Sequence, residues 1–126
     1  MSRSHLLRVV VVAVVLVLPV FLAGCVSRDM RLANKGFDHI EDGRLVDAES
    51  VLTEAVQDNP NNAYAVLNLG TVYQRTGRFD QARSMFEKVI ALDTQENPAK
   101  RSKFLDSSKN LREIAEYNLT TLPAKR

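Results

Sequence analysis

Of the side chains able to do chemistry, the thiol is the rarest here: 126 residues hold one cysteine, Cys25. It follows Leu22, Ala23 and Gly24 at the end of an apolar run. A single thiol cannot close an internal disulfide, so it points to a modified group. Histidine, the usual base at neutral pH, occurs twice, and only His39 lies beyond that run. No serine, aspartate or cysteine stands at a spacing that completes a nucleophile–base pair with it. His39 is expected instead to pack, hydrogen-bonded, between helices. One cysteine and one histidine are too few for the usual zinc sites. Acid pairs such as Glu41-Asp42 read as charge at a helix end. Gly70 and Gly77 do not lie in a glycine-rich turn between strand and helix, so neither forms a phosphate loop. No enzyme is expected: no catalytic residue, cofactor, metal or small-molecule substrate.

The segment before the thiol explains its setting. Arg3, His5 and Arg8 form a basic start, and Val9 to Ala23 are apolar. A run of about 15 residues is short for a spanning helix, which needs about 20. It fits the apolar region of an export signal, with an uncleaved signal anchor as the other reading. Residues 1–24 resemble a bacterial lipoprotein signal peptide, with Leu22-Ala23-Gly24-Cys25 matching the lipobox. The resemblance implies that Cys25 is acylated and becomes the new N-terminus, so that membrane lipid is one partner. Several acyl chains anchor stably where one binds reversibly. Residues 25–29 then form a very short tether. The absence of Asp at position 26 implies, by the same resemblance, the periplasmic face of the outer membrane.

Charge belongs to the chain after the signal. Residues 25–126 carry 15 basic and 15 acidic side chains, so the formal +2 comes from Arg3 and Arg8. That balance gives no support for nucleic-acid binding. It is uneven: Arg28 to Glu96 holds 8 basic and 12 acidic residues, Lys100 to Arg126 holds 7 and 3. Lys100, Arg101, Lys103, Lys109 and Arg112 cluster in the tail without interleaved aromatics other than Phe104. A solvated face, or contact with lipid headgroups or an acidic partner, fits them better.

Two stretches repeat at a spacing of 34 residues. Gly70 matches Gly36, Gly77 matches Gly43, Ala82 matches Ala48, Phe86 matches Leu52, and Val89 matches Ala55. Such self-similarity marks a repeat architecture. Apolar spacing of three and four predicts helices at about Met30–Glu41, Leu45–Gln57, Ala63–Arg75 and Phe79–Leu92. Asp42-Gly43-Arg44 and Thr76-Gly77-Arg78 break each pair, and Pro60 separates the pairs. Leu32, Gly36 and His39 face the second helix, as do Val66, Leu69, Gly70 and Tyr73 in the next pair. The second helices carry Leu45, Ala48, Val51, Leu52, Ala55 and Val56, then Phe79, Ala82, Met85, Phe86, Val89 and Ile90.

This skeleton resembles the tetratricopeptide repeat, whose pattern runs W-x2-L-G-x2-Y, then A-x3-F, then P. Leu69-Gly70, Tyr73, Ala82 and Phe86 meet it, while Val66 replaces the Trp and Thr94 the Pro. In the first repeat Gly36, Ala48 and Pro60 match, but Lys35 and His39 replace Leu and Tyr. The fold expected is all-α: repeats at about 29–62 and 63–96, a capping helix at 97–122, and a frayed tail at 123–126. Asn97-Pro98 would start that cap, with Phe104, Ser108, Leu111, Ala115, Leu119 and Leu122 forming its stripe. It would be one helix, or two with a break near Ser107-Ser108.

The resemblance implies a partner-binding groove on the first helices: Ala33, Phe37, Ile40 and Glu41, then Tyr64, Leu67, Thr71, Gln74 and Arg75. Phe37 and Ile40 would leave apolar surface open there, unless the lipid-proximal segment or the tail folds over them. A protein or peptide partner is expected. The resemblance to repeat-containing lipoproteins implies a non-catalytic adaptor in an envelope assembly such as a pilus, secretion or outer-membrane machine. Two repeats are fewer than the ~3 that usually stand alone, so a homodimer is possible; the alternative role is a structural envelope protein acting through self-association.

Overall fold

The computed structural model describes residues 26–98 and 108–124. Among them are five helices and no strand: α1 (Arg28–Glu41), α2 (Leu45–Asp58), α3 (Ala63–Arg75), α4 (Phe79–Ala91) and α5 (Leu111–Thr121). The two hairpins match the expected ones, with ends shifted by one or two residues. No helix among the described residues is long and apolar enough to cross a membrane. The signal segment and the Cys25 tether start lie outside the described residues.

Each hairpin turns by the same backbone device. Gly43 has φ 75° and Gly77 φ 77°, the left-handed conformation that glycine takes without a Cβ penalty. The amide of Arg44 donates to the His39 carbonyl (2.8 Å) and that of Gly43 to Ile40 (3.1 Å). Thirty-four residues on, Arg78 donates to Tyr73 (2.8 Å) and Gly77 to Gln74 (3.2 Å). This is the Schellman closure, which satisfies carbonyls that a helix end leaves unpaired.

Packing inside the hairpins follows the same period. Ala48, Leu52 and Ala55 are fully buried, and so are Ala82, Phe86 and Val89. Gly36 lies against Leu52, and Gly70 against Phe86 and Met85, with no room for a side chain at either glycine. Close approach therefore explains a residue that costs about 1 kcal/mol in a helix interior. Phe79 departs from the expected stripe: it is 39% exposed at the start of α4. His39 is buried as expected, but its Nδ1 has no hydrogen-bond partner.

Polar clamps join one hairpin to the next. Asp29 accepts from Asn62 Nδ2 at 2.7 Å and from Asn59 Nδ2 at 3.0 Å. Asn62 also caps α3, its Oδ1 accepting from the Ala65 amide at 2.9 Å. Arg78 grips Glu49 with two bonds of 2.7 and 2.6 Å, and its guanidinium lies 4.6 Å from the Tyr73 ring centre. Within the first hairpin, Arg28 of α1 pairs with Glu54 and Asp58 of α2. α3 is the central element: every residue from Ala63 to Gly70 is buried, because α1, α2, α4 and α5 all pack around it.

The C-terminal cap corrects one expectation. Asn97 and Pro98 are not helical, and the described helix starts at Leu111. Asn110 and Glu113 supply the reason, since they form a reciprocal capping box of 2.9 Å bonds. The expected stripe residue Phe104 lies outside the described residues. Leu111, Ala115 and Leu122 are buried, and so is Ile114, which the expected stripe omits. The Leu111 amide donates to the Glu96 carbonyl (2.9 Å), and Asn110 Nδ2 to Gln95 Oε1 (3.0 Å). These bonds fix the start of α5 beside the end of α4.

Candidate functional site

The nine groove residues come together on α1 and α3, but not as an open apolar patch. Ala33, Phe37, Ile40, Tyr64 and Leu67 are buried, with Phe37 8% and Ile40 4% exposed. Phe37 and Ile40 therefore leave no open apolar surface; of the two outcomes expected for this face, the tail folding over it is the one found, and two contacts explain the burial. The Phe37 ring stacks at a tilt on Tyr64, with centroids 6.2 Å apart. Ile114 and Asn118 of α5 reach the same depression and close one side of it. Thr71 and Gln74 are half-buried, and Glu41 and Arg75 are exposed at the rim.

What remains is a depression of about 220 Å³ lined by both apolar and polar side chains. Phe37, Ile40, Leu67 and Ile114 line it, with Asn68 and Thr71 between them. Thr71 Oγ1 donates to the Leu67 carbonyl (3.1 Å), one turn back. Gln74 Nε2 donates to Thr121 Oγ1 (2.9 Å), tying α5 to the groove. Arg75 Nη1 donates to the Ile40 carbonyl (2.9 Å), an end carbonyl of α1. Gln74 and Arg75 therefore hold the walls in place.

Asn68 is the residue that the groove assignment missed. It is 6% exposed, lines the depression, and its Nδ2 has no hydrogen-bond partner. A buried amide donor left unpaired costs about 1–3 kcal/mol and calls for an explanation. One repeat earlier stands Asn34, whose Oδ1 is likewise buried without a partner. An asparagine amide offers donors and an acceptor, the set that a peptide main chain satisfies. The readable signal was the recurrence of Asn at the repeat period, just before Gly36 and Gly70 by two residues. No group of three or more His, Cys, Asp or Glu among the described residues is placed to hold a metal.

The tail cations among the described residues are engaged. Lys109 lies 4.7 Å from the Tyr117 ring centre, and Arg112 pairs with Glu116 (2.9 Å) and Asp93. Lys100, Arg101 and Lys103 lie outside the described residues, as do Leu22, Ala23, Gly24 and Cys25.

Comparison with known proteins agrees with this geometry. The tetratricopeptide repeat family matches residues 39–102, about half of the chain. A protein of Pyropia yezoensis, described as the uncharacterized protein ycf37, is 32% identical over 77 residues, 60% of this chain and 43% of its own. Protein O-mannosyl-transferase F38B6.6 of Caenorhabditis elegans is 32% identical over 90 residues, 70% of this chain but 12% of its own. The chain spans less than half of either relative. No solved structure matches significantly. The matched family, the equivalent glycine crossings and the two Schellman turns agree: the chain belongs to the tetratricopeptide repeat family.

Proposed function

We propose that the protein is a non-catalytic adaptor that captures an extended segment of a protein partner in the groove of α1 and α3. The observation that carries this reading is Asn68, a buried amide donor without a partner in a depression with apolar walls. A segment lying along the groove pairs a main-chain carbonyl with Asn68 and sets one apolar side chain against Phe37, Leu67 and Ile114. Asn34 meets the same segment one repeat away. The reading also takes Cys25 as acylated, holding the adaptor at the periplasmic face of the outer membrane. An envelope machine for pili, secretion or outer-membrane assembly is the setting we infer.

The test is site-specific photo-crosslinking from position 71 in cells, with and without Asn68→Ala. The reading expects a discrete hetero-complex that Asn68→Ala depletes while the variant stays folded and abundant. Crosslinks that contain only copies of this chain, or that ignore the substitution, would favour a self-associating structural protein.

A further inference from the structure

The tail was the expected place for contact with lipid headgroups, yet its described cations are already in use. Lys109 lies on Tyr117, and Arg112 holds Asp93 and Glu116. The first helix differs. Arg31 and Lys35 are exposed and stand four residues apart, on one face of α1. Arg31 Nη1 donates to the Val26 carbonyl (2.5 Å), which draws its guanidinium toward the end where the tether enters. That carbonyl leaves the positive charge unneutralised. The acids near the start of α1 are committed elsewhere: Asp29 to Asn59 and Asn62, Glu54 and Asp58 to Arg28.

We propose that Arg31 and Lys35 form a docking face for an anionic lipid surface, and so set how the repeats stand on the membrane. This rests on the lipid-anchor reading, because it takes Cys25 as the attachment point. From Cys25 to Arg28 the chain spans three residue steps, about 11 Å at most. Arg31 is then about 4.5 Å further along the helix axis and Lys35 about 10 Å. The field of a charged surface falls off over about 8 Å at physiological salt. An upright helix on an extended tether leaves Arg31 up to about 15 Å from the headgroups, beyond that range, whereas a helix lying on the surface brings both Arg31 and Lys35 within it. Arg31 and Lys35 are not among the residues that line the groove.

The experiment uses the full mature chain with Cys25→Ser, so that its outcome does not depend on acylation. Sedimentation is measured with vesicles of phosphatidylethanolamine and phosphatidylcholine, with or without 30% phosphatidylglycerol added. Each juxtamembrane cation contributes about fivefold, so Arg31→Gln/Lys35→Gln is expected to weaken binding to the anionic vesicles about 30-fold. Lys109→Gln is expected to change it less than twofold, and neutral vesicles are expected to bind weakly throughout. Equal binding by the double variant and the parent, or equal binding to neutral and anionic vesicles, overturns the proposal. Circular dichroism of each variant shows that the helices remain. Separately, mass spectrometry of Cys25 in the chain from cells tests the anchor reading; an unmodified thiol there defeats that reading and leaves the vesicle result standing by itself.

Discussion

Gly36 presses so closely on Leu52 that a Cβ added to the glycine would lie 2.5 Å from Leu52 Cδ2. Gly70 repeats the relationship with Phe86, where the ring atom Cε1 would be 2.7 Å away. Gly36→Ala gains helix propensity of about 1 kcal/mol and loses more through overpacking, which costs about 1–3 kcal/mol. A net destabilisation of up to about 2 kcal/mol is expected by urea unfolding. Adding Leu52→Ala should cost less in the Gly36→Ala background than alone, and strict additivity would disprove the contact.

Gly77 restricts the chain for a different reason. No atom crowds its missing Cβ, but its φ of 77° is one that side chains rarely adopt. Gly77→Ala should destabilise by about 1–2 kcal/mol, the cost of the left-handed conformation. Gly77→Asn should recover part of that loss, because asparagine tolerates this region. Equal unfolding midpoints for the two variants would rule out the backbone explanation.

Asp29 links stability to pH. Hydrogen bonding by Ser27, and then by Asn62 and Asn59, holds its carboxyl at about 2 against the opposing effect of burial. The ordinary value is 3.8. Between these values the unfolded chain binds the extra proton, so unfolding becomes easier as pH falls. The stabilisation is complete above about pH 4 and disappears as pH drops through about 2. Asp29→Asn should flatten this part of the urea midpoint profile, while a parallel profile would place the titration elsewhere.

Asn68→Ala should separate binding from folding. It removes an unpaired buried donor and restores a strong helix former, so stability should hold or rise by up to about 1 kcal/mol. Partner crosslinking from position 71 should fall at the same time. A large loss of stability would mean that Asn68 is needed for the core.

Asn110 controls the start of α5. Asn110→Ala deletes one half of the capping box and should cost about 1 kcal/mol. Hydrogen exchange is expected to quicken in residues 111–121 and to stay slow in α2 and α3.

The hairpins were legible because their causes are local and periodic. Gly36 with Leu52, and Gly70 with Phe86, appear in the sequence as a spacing, and the same spacing becomes a contact. Which of the two outcomes held for the groove was not legible, because the burial of Phe37 and Ile40 depends on neighbours far along the chain. Tyr64 was expected beside Phe37 in the groove, but not as a ring stacked on it. Ile114 stands three places after Leu111 and one before Ala115, beside the counted stripe, which already takes Ala115 for that turn. Asn110 was overlooked for Asn97 because both precede plausible first turns; Glu113, three residues later, distinguishes them. Asn68 carried its signal in the repeat period, masked by its weak helix propensity and lack of charge.

The Glu96 carbonyl and the Leu111 amide meet at 2.9 Å, so the two ends of the segment between them are held together. The entropy of closing such a loop grows only with the logarithm of its length. Because both ends are fastened, the length of chain between them enters the stability only through that slowly growing term.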